Sequence, residues 1–205
     1  MHQYHVTSAE TLEAIYGEAS EASIVKELDH IDANYRALIE ASPFLALATV
    51  GPTGLDCSPR GDPRGFVHVV DEKTLILPDR RGNNRIDSLR NLMANPQLAM
   101  LFLIPGMGET LRVNGRARIS IDPVLLQRYA VDGKEPRTVL EVTVDTVFFQ
   151  CARAVVRADL WNPAKYVDRS TLPSLGKILA DASASRIDGE TYDRELPNRV
   201  QSTLY

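Results

Sequence analysis

The segment LILPDRRGNNR, residues Leu75–Arg85, ends an apolar, strand-like run abruptly in arginine, glycine and asparagine. Two other segments have the same character, namely CSPRGD at Cys57–Asp62 and GETLRVNGR at Gly108–Arg116. Arginine forms strong hydrogen bonds with anions, and glycine lets a ligand approach the backbone closely. These strand ends therefore suit a planar ligand that carries a phosphate group.

Composition narrows the class of protein. The chain has 205 residues, of which 44% are hydrophobic and 24% charged, as in an average globular protein, so it is most simply one domain with appendages. The net charge of −4 argues against nucleic acid as the main partner. Arginine outnumbers lysine eighteen to five, which reflects either codon bias or selection for bidentate anion contacts.

The sequence also indicates a compartment. It shows no signal peptide and no apolar run near the roughly 20 residues of a membrane span, so we expect a cytoplasmic protein without a membrane partner. The two cysteines, Cys57 and Cys151, form neither a disulfide framework nor a zinc-like spacing. Their apolar neighbours predict buried, inert thiols. The four histidines have no metal-ligand spacing, so we expect no metal site.

Apolar runs separated by turn signals predict a mainly β protein of the α+β class. Closely spaced strands with few helices between them favour an antiparallel barrel over a parallel sheet. We divide the chain into an N-terminal helical extension (1–43), a barrel core (44–163) and a C-terminal helix with a polar tail (164–205). The six or seven predicted strands are Phe44–Val50, Leu55–Ser58, Phe66–Val70, Thr74–Leu77, Leu98–Ile104, Glu109–Ile121 and Thr138–Phe149.

The loop Asp79–Arg85 is the strongest local feature. A helix is predicted over Asn84–Asn95, with Asn83 or Asn84 as its cap. Unpaired amides at that helix start would then lie beside Arg80 and Arg85, which together form a phosphate site. The alternative is an ordinary solvated, arginine-rich turn.

Further positions are candidate ligand contacts. Arg60 follows Pro59 at a strand end and could reach a ring carbonyl or a phosphate. Thr110 and Arg112 alternate along one strand, so they share a face that either lines a ligand or meets solvent. Trp161 is the only tryptophan, and it could stack on a ring or anchor a hydrophobic cluster. No side chain is a convincing acid or base, so we name no catalytic residue.

Taken together, four segments resemble the pyridoxamine 5′-phosphate oxidase-like flavoproteins, the FMN-binding split-barrel family. They are SPRGD at Ser58–Asp62, PDRRGNN at Pro78–Asn84, GETLRVNG at Gly108–Gly115 and Leu160-Trp161. The ordered set is similar to that of a bacterial subgroup of FMN-binding proteins. The resemblance implies a six-stranded antiparallel split barrel with flanking helices. It also implies a homodimer with two FMN molecules in clefts between the subunits.

The resemblance extends to individual residues. It implies flavin contacts at Ser58, Pro59 and Arg60, with Thr110 near the pyrimidine side of the ring. Trp161 would reach the flavin, in some relatives from the other subunit. The vitamin-metabolising oxidases bind pyridoxal phosphate with a C-terminal arginine-x-histidine segment. We do not find that segment here, which argues against pyridoxal phosphate as the substrate. The implied phosphate-binding residues are Pro78, Asp79, Arg80, Asn83, Asn84 and Arg85.

We therefore expect an FMN-dependent oxidoreductase with a small-molecule substrate or electron donor, which could be a nicotinamide. Three alternatives stay open. The first is a non-enzymatic FMN-binding or storage protein, and the second is a split barrel that uses deazaflavin or haem. The third is an interaction domain without a cofactor. Haem would need an axial ligand, and His68 is the only histidine inside the barrel region.

Overall fold

The computed structural model describes residues 4–205 and contains one antiparallel sheet of seven strands. The strands are β1 (Phe44–Gly51), β2 (Gly54–Gly61), β3 (His68–Val69), β4 (Thr74–Asp79), β5 (Gln97–Leu103), β6 (Thr110–Ser120) and β7 (Thr138–Gln150). Their order across the sheet is β2-β1-β5-β6-β7-β4-β3. The edge strands β2 and β3 do not pair with each other, so the sheet stays open. The resemblance implied a six-stranded barrel, but the structure has an open sheet with a seventh strand, the short β3, which pairs with β4 within the strand predicted at Phe66–Val70.

Helices precede the strands, lie between them and follow them along the chain, so the fold is mixed α/β. They are α1 (Ala9–Tyr16), α2 (Glu21–Val25), α3 (Ala33–Ala41), α4 (Asp87–Ala94), α5 (Pro123–Arg128), α6 (Arg153–Ala158), α7 (Leu175–Ala182) and α8 (Gly189–Ser202). The polar C-terminal segment, expected to be a tail, contains the helix α8. Asp188 caps α8 by accepting hydrogen bonds from the Glu190 and Thr191 amides.

The main core lies on one face of the sheet. In β1 the side chains of Leu45 and Leu47 are fully buried, and in β5 those of Met100 and Phe102 are. Alternate residues of a strand point to the same face, so β1 and β5 contribute every second side chain to this core. Ile39 of α3 is also fully buried and belongs to the same cluster. A smaller buried cluster includes intervening residues of β4 and β7 and is formed by Ile76, Val139 and Tyr129.

A buried polar contact fixes helix α4 against β1. The Asn91 side-chain amide donates to the Thr49 hydroxyl at 3.1 Å, and both residues are buried. Gly51 permits this approach, because a Cβ atom there would lie only 2.1 Å from the Asn91 side-chain oxygen. The packing sets where α4 begins relative to the end of the β1–β2 hairpin.

Both cysteines are exposed, so the expectation of buried thiols is wrong. Cys57 lies on β2, an edge strand whose side chains alternate between partly buried and exposed. Cys151 follows directly after β7. Within residues 4–205, no helix is long and apolar enough to cross a membrane. The same residues contain no group of three potential metal ligands.

Candidate functional site

A cleft of about 760 Å³ lies where the ends of β2 and β4 meet the start of α4. Antiparallel pairing brings its walls together: Arg60 on β2 lies opposite Leu45 of β1, and Asp79 on β4 lies opposite Thr138 of β7. Nine of the twelve predicted site residues line this cleft, and three do not. The nine are Ser58, Pro59, Arg60, Pro78, Asp79, Arg80, Asn83, Asn84 and Arg85.

The loop before α4 differs from the expected cap. The helix begins at Asp87, and the residue before it, Ile86, takes the capping position in a left-handed conformation with φ of 53°. Asn84 is also left-handed, with φ of 61°. Neither asparagine caps the helix, and no side chain among the described residues does so. The amides of the first turn of α4 therefore lack a side-chain acceptor, and an anion could satisfy them.

The two asparagines instead organise the loop itself. The side-chain oxygen of Asn83 accepts from the Arg85 amide at 3.1 Å. The side-chain oxygen of Asn84 accepts from the Arg137 guanidinium at 3.0 Å, which ties the loop to the residue before β7. Asn tolerates the left-handed conformation better than most residues, so Asn84 also suits the turn.

Arg60 is a largely buried cation of the cleft, with a side chain only 20% exposed. Its guanidinium donates to the Ser88 hydroxyl at 3.3 Å, and its Nε lies 3.6 Å from the Asp79 carboxylate. Arg85 is 75% exposed and donates to Asp87 at 2.7 Å. The cleft thus combines the largely buried guanidinium of Arg60 with the exposed one of Arg85.

The Arg80 guanidinium makes hydrogen bonds within its own chain. Its Nε donates to the Asp62 carboxylate at 2.9 Å, and its Nη1 donates to the Tyr129 carbonyl at 2.9 Å. The same Asp62 carboxylate accepts from the Tyr205 hydroxyl. Because Asp62 neutralises much of its charge, Arg80 offers less to an anionic ligand than the sequence indicated.

Two carboxylates in the cleft have pKa values shifted in opposite directions. The Ser88 and Ser58 hydroxyls donate to Asp56 at 2.6 and 2.8 Å and hold its pKa below the usual value. Burial raises the pKa of Asp79, although the nearby guanidinium groups of Arg60 and Arg137 oppose that shift. Of the two carboxylates, Asp79 is therefore the one whose burial favours the protonated form.

Sequence reasoning missed several polar lining residues, among them Asp56, Ser88, Arg137 and Thr138. Ser88 lies on the predicted helix, but only the start of α4 at Asp87 turns it toward Asp56. Arg137 and Thr138 reach the cleft because β7 pairs with β4, a contact between segments far apart in sequence. No local pattern reports such a pairing. The Thr138 hydroxyl oxygen is buried without a hydrogen-bond partner among the described residues.

The remaining three predicted residues have partners elsewhere in the chain. The Thr110 hydroxyl donates to the Gln150 side chain at 3.3 Å. The Arg112 guanidinium lies 5.4 Å from the centre of the Phe148 ring. The Trp161 indole donates to the Met107 carbonyl at 2.6 Å. None of the three lines the cleft of a single chain.

His68, the one candidate haem ligand, packs against a different part of the fold. Its ring lies 4.3 Å from that of Tyr129, and burial lowers its pKa, as do the charges of Arg80 and Arg128. No histidine of the described chain lines the cleft. The cleft therefore offers no imidazole ligand from its own chain to a haem iron.

The chain thus combines an open antiparallel sheet with an arginine- and asparagine-lined cleft at its strand ends. A family model described as pyridoxamine 5′-phosphate oxidase matches residues 31–151, more than half of the chain. The chain therefore belongs to the pyridoxamine 5′-phosphate oxidase family. None of the curated proteins compared with it matches.

Several solved structures are similar to this chain. HupZ of Group A Streptococcus is 20% identical, with 59% of this chain and 94% of that chain covered and a TM-score of 0.48. General stress protein 26 of Bacillus anthracis is 17% identical, with 56% and 88% covered and a TM-score of 0.40. A NimC/NimA family protein of Clostridium acetobutylicum is 17% identical, with 59% and 89% covered and a TM-score of 0.39. Similarities at this level do not identify a ligand.

Proposed function

We propose that this chain binds FMN in the cleft between β2, β4 and α4 and acts as an oxidoreductase. The observation that supports this most is the convergence of nine predicted site residues on one cleft of about 760 Å³. Ligand pockets for cofactors are typically of this size and combine apolar walls with a few convergent polar groups. Membership of the pyridoxamine 5′-phosphate oxidase family supports a flavin as the ligand.

The residues present fit the parts of FMN. The loop Asn83–Arg85 and the uncapped start of α4 would hold the phosphate, because both offer amides and positive charge. Arg81 lines the same cleft and makes no hydrogen bond or ion pair with any residue in 4–205, so its charge is available. Pro59, Phe66 and Leu89 supply apolar surface for a ring.

The chain's own contribution is binding, orientation and control of charge. When bound, a flavin supplies the electron-transfer chemistry itself. Arg60 would orient the ligand through a guanidinium already fixed by Ser88 and Asp79. A guanidinium held in place before binding loses little conformational freedom on contact, which favours affinity. No cleft residue needs to act as an acid or base in this proposal.

The proposal extends to a homodimer with a small-molecule substrate or nicotinamide as electron donor. Thr110, Arg112 and Trp161 lie outside the cleft of one chain, and a second copy could bring them to it. The surface near them is apolar, since Phe149 is 38%, Leu160 42% and Val156 67% exposed. Exposed apolar residues that cluster in this way are typical of protein–protein contacts.

The alternative of a non-enzymatic FMN-binding protein makes a different prediction. Purified protein is reconstituted with FMN, freed of excess cofactor and mixed with NADH or NADPH under air. An oxidoreductase consumes the nicotinamide catalytically, over many turnovers for each bound flavin. A storage protein leaves the nicotinamide unchanged while retaining its flavin spectrum. A protein that takes up no FMN contradicts the proposal as a whole.

A further inference from the structure

Residues 203–205, here called the Tyr205 segment, follow α8 and return to the sheet beside the cleft. A second cavity of about 390 Å³ lies there. Its lining combines the three residues of the segment with Asp62, which follows β2, and Arg80, which follows β4. Arg80 also lines the larger cleft, so its side chain borders both spaces. The Tyr205 segment thus lies against a residue of the candidate site.

Three side chains form a continuous chain of hydrogen bonds from this segment to the cleft. The Tyr205 hydroxyl donates to one oxygen of the Asp62 carboxylate, and the Arg80 Nε donates to the other oxygen at 2.9 Å. The Arg80 guanidinium also lies 5.7 Å from the centre of the Tyr205 ring. Because the Asp62 side chain is only 5% exposed, little water competes for its two oxygens. A change at Tyr205 is therefore felt at Arg80.

The rest of the C-terminal region contributes little to this attachment. Helices α7 and α8 pack on each other more extensively than on any strand. Their contact is close, since a Cβ atom at Gly176 would lie 2.0 Å from the Gly189 carbonyl oxygen. Within residues 4–205, the hydrogen bond between Tyr205 and Asp62 is the one that joins residues 174–205 to residues before 160. The position of this helical pair consequently depends on Tyr205.

The Tyr205 hydroxyl also affects the charge that Arg80 presents to the cleft. Asp62 neutralises part of the Arg80 charge, and a hydroxyl that donates to Asp62 withdraws some of that negative charge. Arg80 donates through Nε to Asp62 and through Nη1 to the Tyr129 carbonyl, which leaves its Nη2 hydrogens for a ligand. An anion beside Arg80 would in turn leave Asp62 freer to attract the hydroxyl. The two contacts therefore favour each other.

We infer that Tyr205 is a positioning residue for Arg80 and that it couples the Tyr205 segment to occupancy of the cleft by a phosphate-bearing ligand. A bound anion favours the docked segment, and the docked segment favours the anion. This inference rests on the proposed function and adds regulation to it. The segment lies outside residues 31–151, which the family model matches, so the coupling is a feature added to the matched core.

The test compares two single variants with their double variant. Tyr205→Phe removes only the hydroxyl, whereas Asp62→Asn removes the charge and keeps one acceptor oxygen. Tyr166→Phe is the matched control, because Tyr166 is exposed and lines neither cavity. FMN affinity is measured by fluorescence titration and inorganic phosphate affinity by calorimetry. Amide hydrogen exchange of residues 203–205 is followed with and without FMN.

The two single variants should change affinity in opposite directions. Tyr205→Phe should weaken binding of FMN and phosphate about threefold, because Asp62 then neutralises Arg80 more fully. Asp62→Asn should tighten both about fivefold, since it removes a negative charge beside the cleft. The double variant should bind like Asp62→Asn alone, because the hydroxyl then has no charge to withdraw. Tyr166→Phe should bind like the wild type.

Hydrogen exchange measures the same coupling from the other side. Bound FMN should slow exchange in the Tyr205 segment of the wild type about threefold, because coupling between two sites is reciprocal. In Tyr205→Phe the segment should exchange at the same rate with and without FMN. A merely structural contact would instead weaken binding in both single variants, and FMN would leave the exchange of the segment unchanged.

Two results would overturn the inference. Equal FMN and phosphate affinities of Tyr205→Phe and the wild type would remove Tyr205 from control of the cleft. Weaker binding by Asp62→Asn would show that Asp62 only holds Arg80 in place. If the wild type binds phosphate but not FMN, the proposed function fails, and the phosphate titrations alone decide the coupling. A wild type that binds neither contradicts both.

Discussion

The predicted site residues form two groups that lie in different places in the fold. The group around Arg60 and Arg85 converges on one cleft, with side chains that keep free donors for a ligand. The group of Thr110, Arg112 and Trp161 lies outside that cleft, and each member contacts its own chain. The difference supports the proposal that one chain forms the anion-binding end of the site and that a second copy would bring the second group to it.

Removal of Arg60 should lower the FMN affinity more than any other change proposed here. Its guanidinium is held in the cleft by Ser88 and Asp79, and a hydrogen bond to a charged group contributes about 1.5–3 kcal/mol. We expect Arg60→Ala to weaken FMN binding roughly ten- to hundredfold. Arg118→Ala is the control, since Arg118 is exposed on β6 outside the cleft. Equal affinities of the two variants would remove Arg60 from the site.

Displacement of α4 should disturb the cleft residues around Arg60 and Arg85 and leave Thr110, Arg112 and Trp161 in place. A Cβ atom at position 51 would lie 2.1 Å from the Asn91 side-chain oxygen, so Gly51→Ala forces α4 away from β1. Overpacking of this kind costs about 1–3 kcal/mol of unfolding free energy. Chemical denaturation measures that loss, and FMN titration of the folded variant should show weaker binding. Unchanged stability would mean that α4 does not depend on this contact.

Replacement of Trp161 tests whether the second group needs a partner. We expect Trp161→Ala to weaken FMN binding about fivefold, as for one lost contact, when the protein is dimeric. Titrations above and below the concentration at which dimers dissociate measure the effect. The loss should appear only in the dimer, since Trp161 lies outside the cleft of its own chain. A loss of the same size in the monomer would contradict this division of the site.

The smallest expected effect is the pH dependence set by Asp79. Burial raises its pKa, so the folded chain binds this proton more tightly than the unfolded chain does. The stability it contributes is fully present below the ordinary value of 3.8 and is lost as the pH rises through the raised pKa. Ionised Asp79 also repels phosphate, so FMN affinity should fall through the same range.

Asp79→Asn should remove this pH dependence from both the stability and the FMN affinity. At neutral pH it should also tighten FMN binding about threefold, because the repulsion between two charges separated by several ångströms of water is roughly 0.6 kcal/mol. Asp56→Asn provides the contrast, since the pKa of Asp56 is lowered by the Ser88 and Ser58 hydroxyls. Stability from Asp56 is present above its ordinary value and lost as the pH falls through the lowered pKa. Identical profiles for both variants would refute the assignment.

Local patterns in the sequence predicted the strands and nine of the residues that line the cleft. The alternation in Phe44–Val50 and Leu98–Ile104 follows directly from one buried face, and both strands are confirmed. The neighbouring strand predicted at Leu55–Ser58 lies within β2, whose pairing with β1 brings Arg60 opposite Leu45. Features encoded within a few neighbouring residues were therefore predictable.

Features that depend on distant contacts were not. The strand predicted at Phe66–Val70 shortens to the two residues of β3, because only His68 and Val69 pair with β4. The start of α4 at Asp87 requires the left-handed conformations of Asn84 and Ile86, which no helix-capping rule indicates. Thr138 enters the site only through the β4–β7 register. In each case the tertiary contact, rather than the local sequence, decides the position.

Equilibrium titration of purified wild-type protein with FMN, followed by quenching of flavin fluorescence, shows directly whether the cleft binds FMN. We expect saturable binding of one FMN per chain, with free phosphate as a competitor. FMN affinity should be roughly ten- to hundredfold lower in Arg60→Ala and unchanged in Arg118→Ala. A wild-type protein that quenches no flavin fluorescence at any concentration would contradict FMN binding and leave the cleft without its proposed ligand.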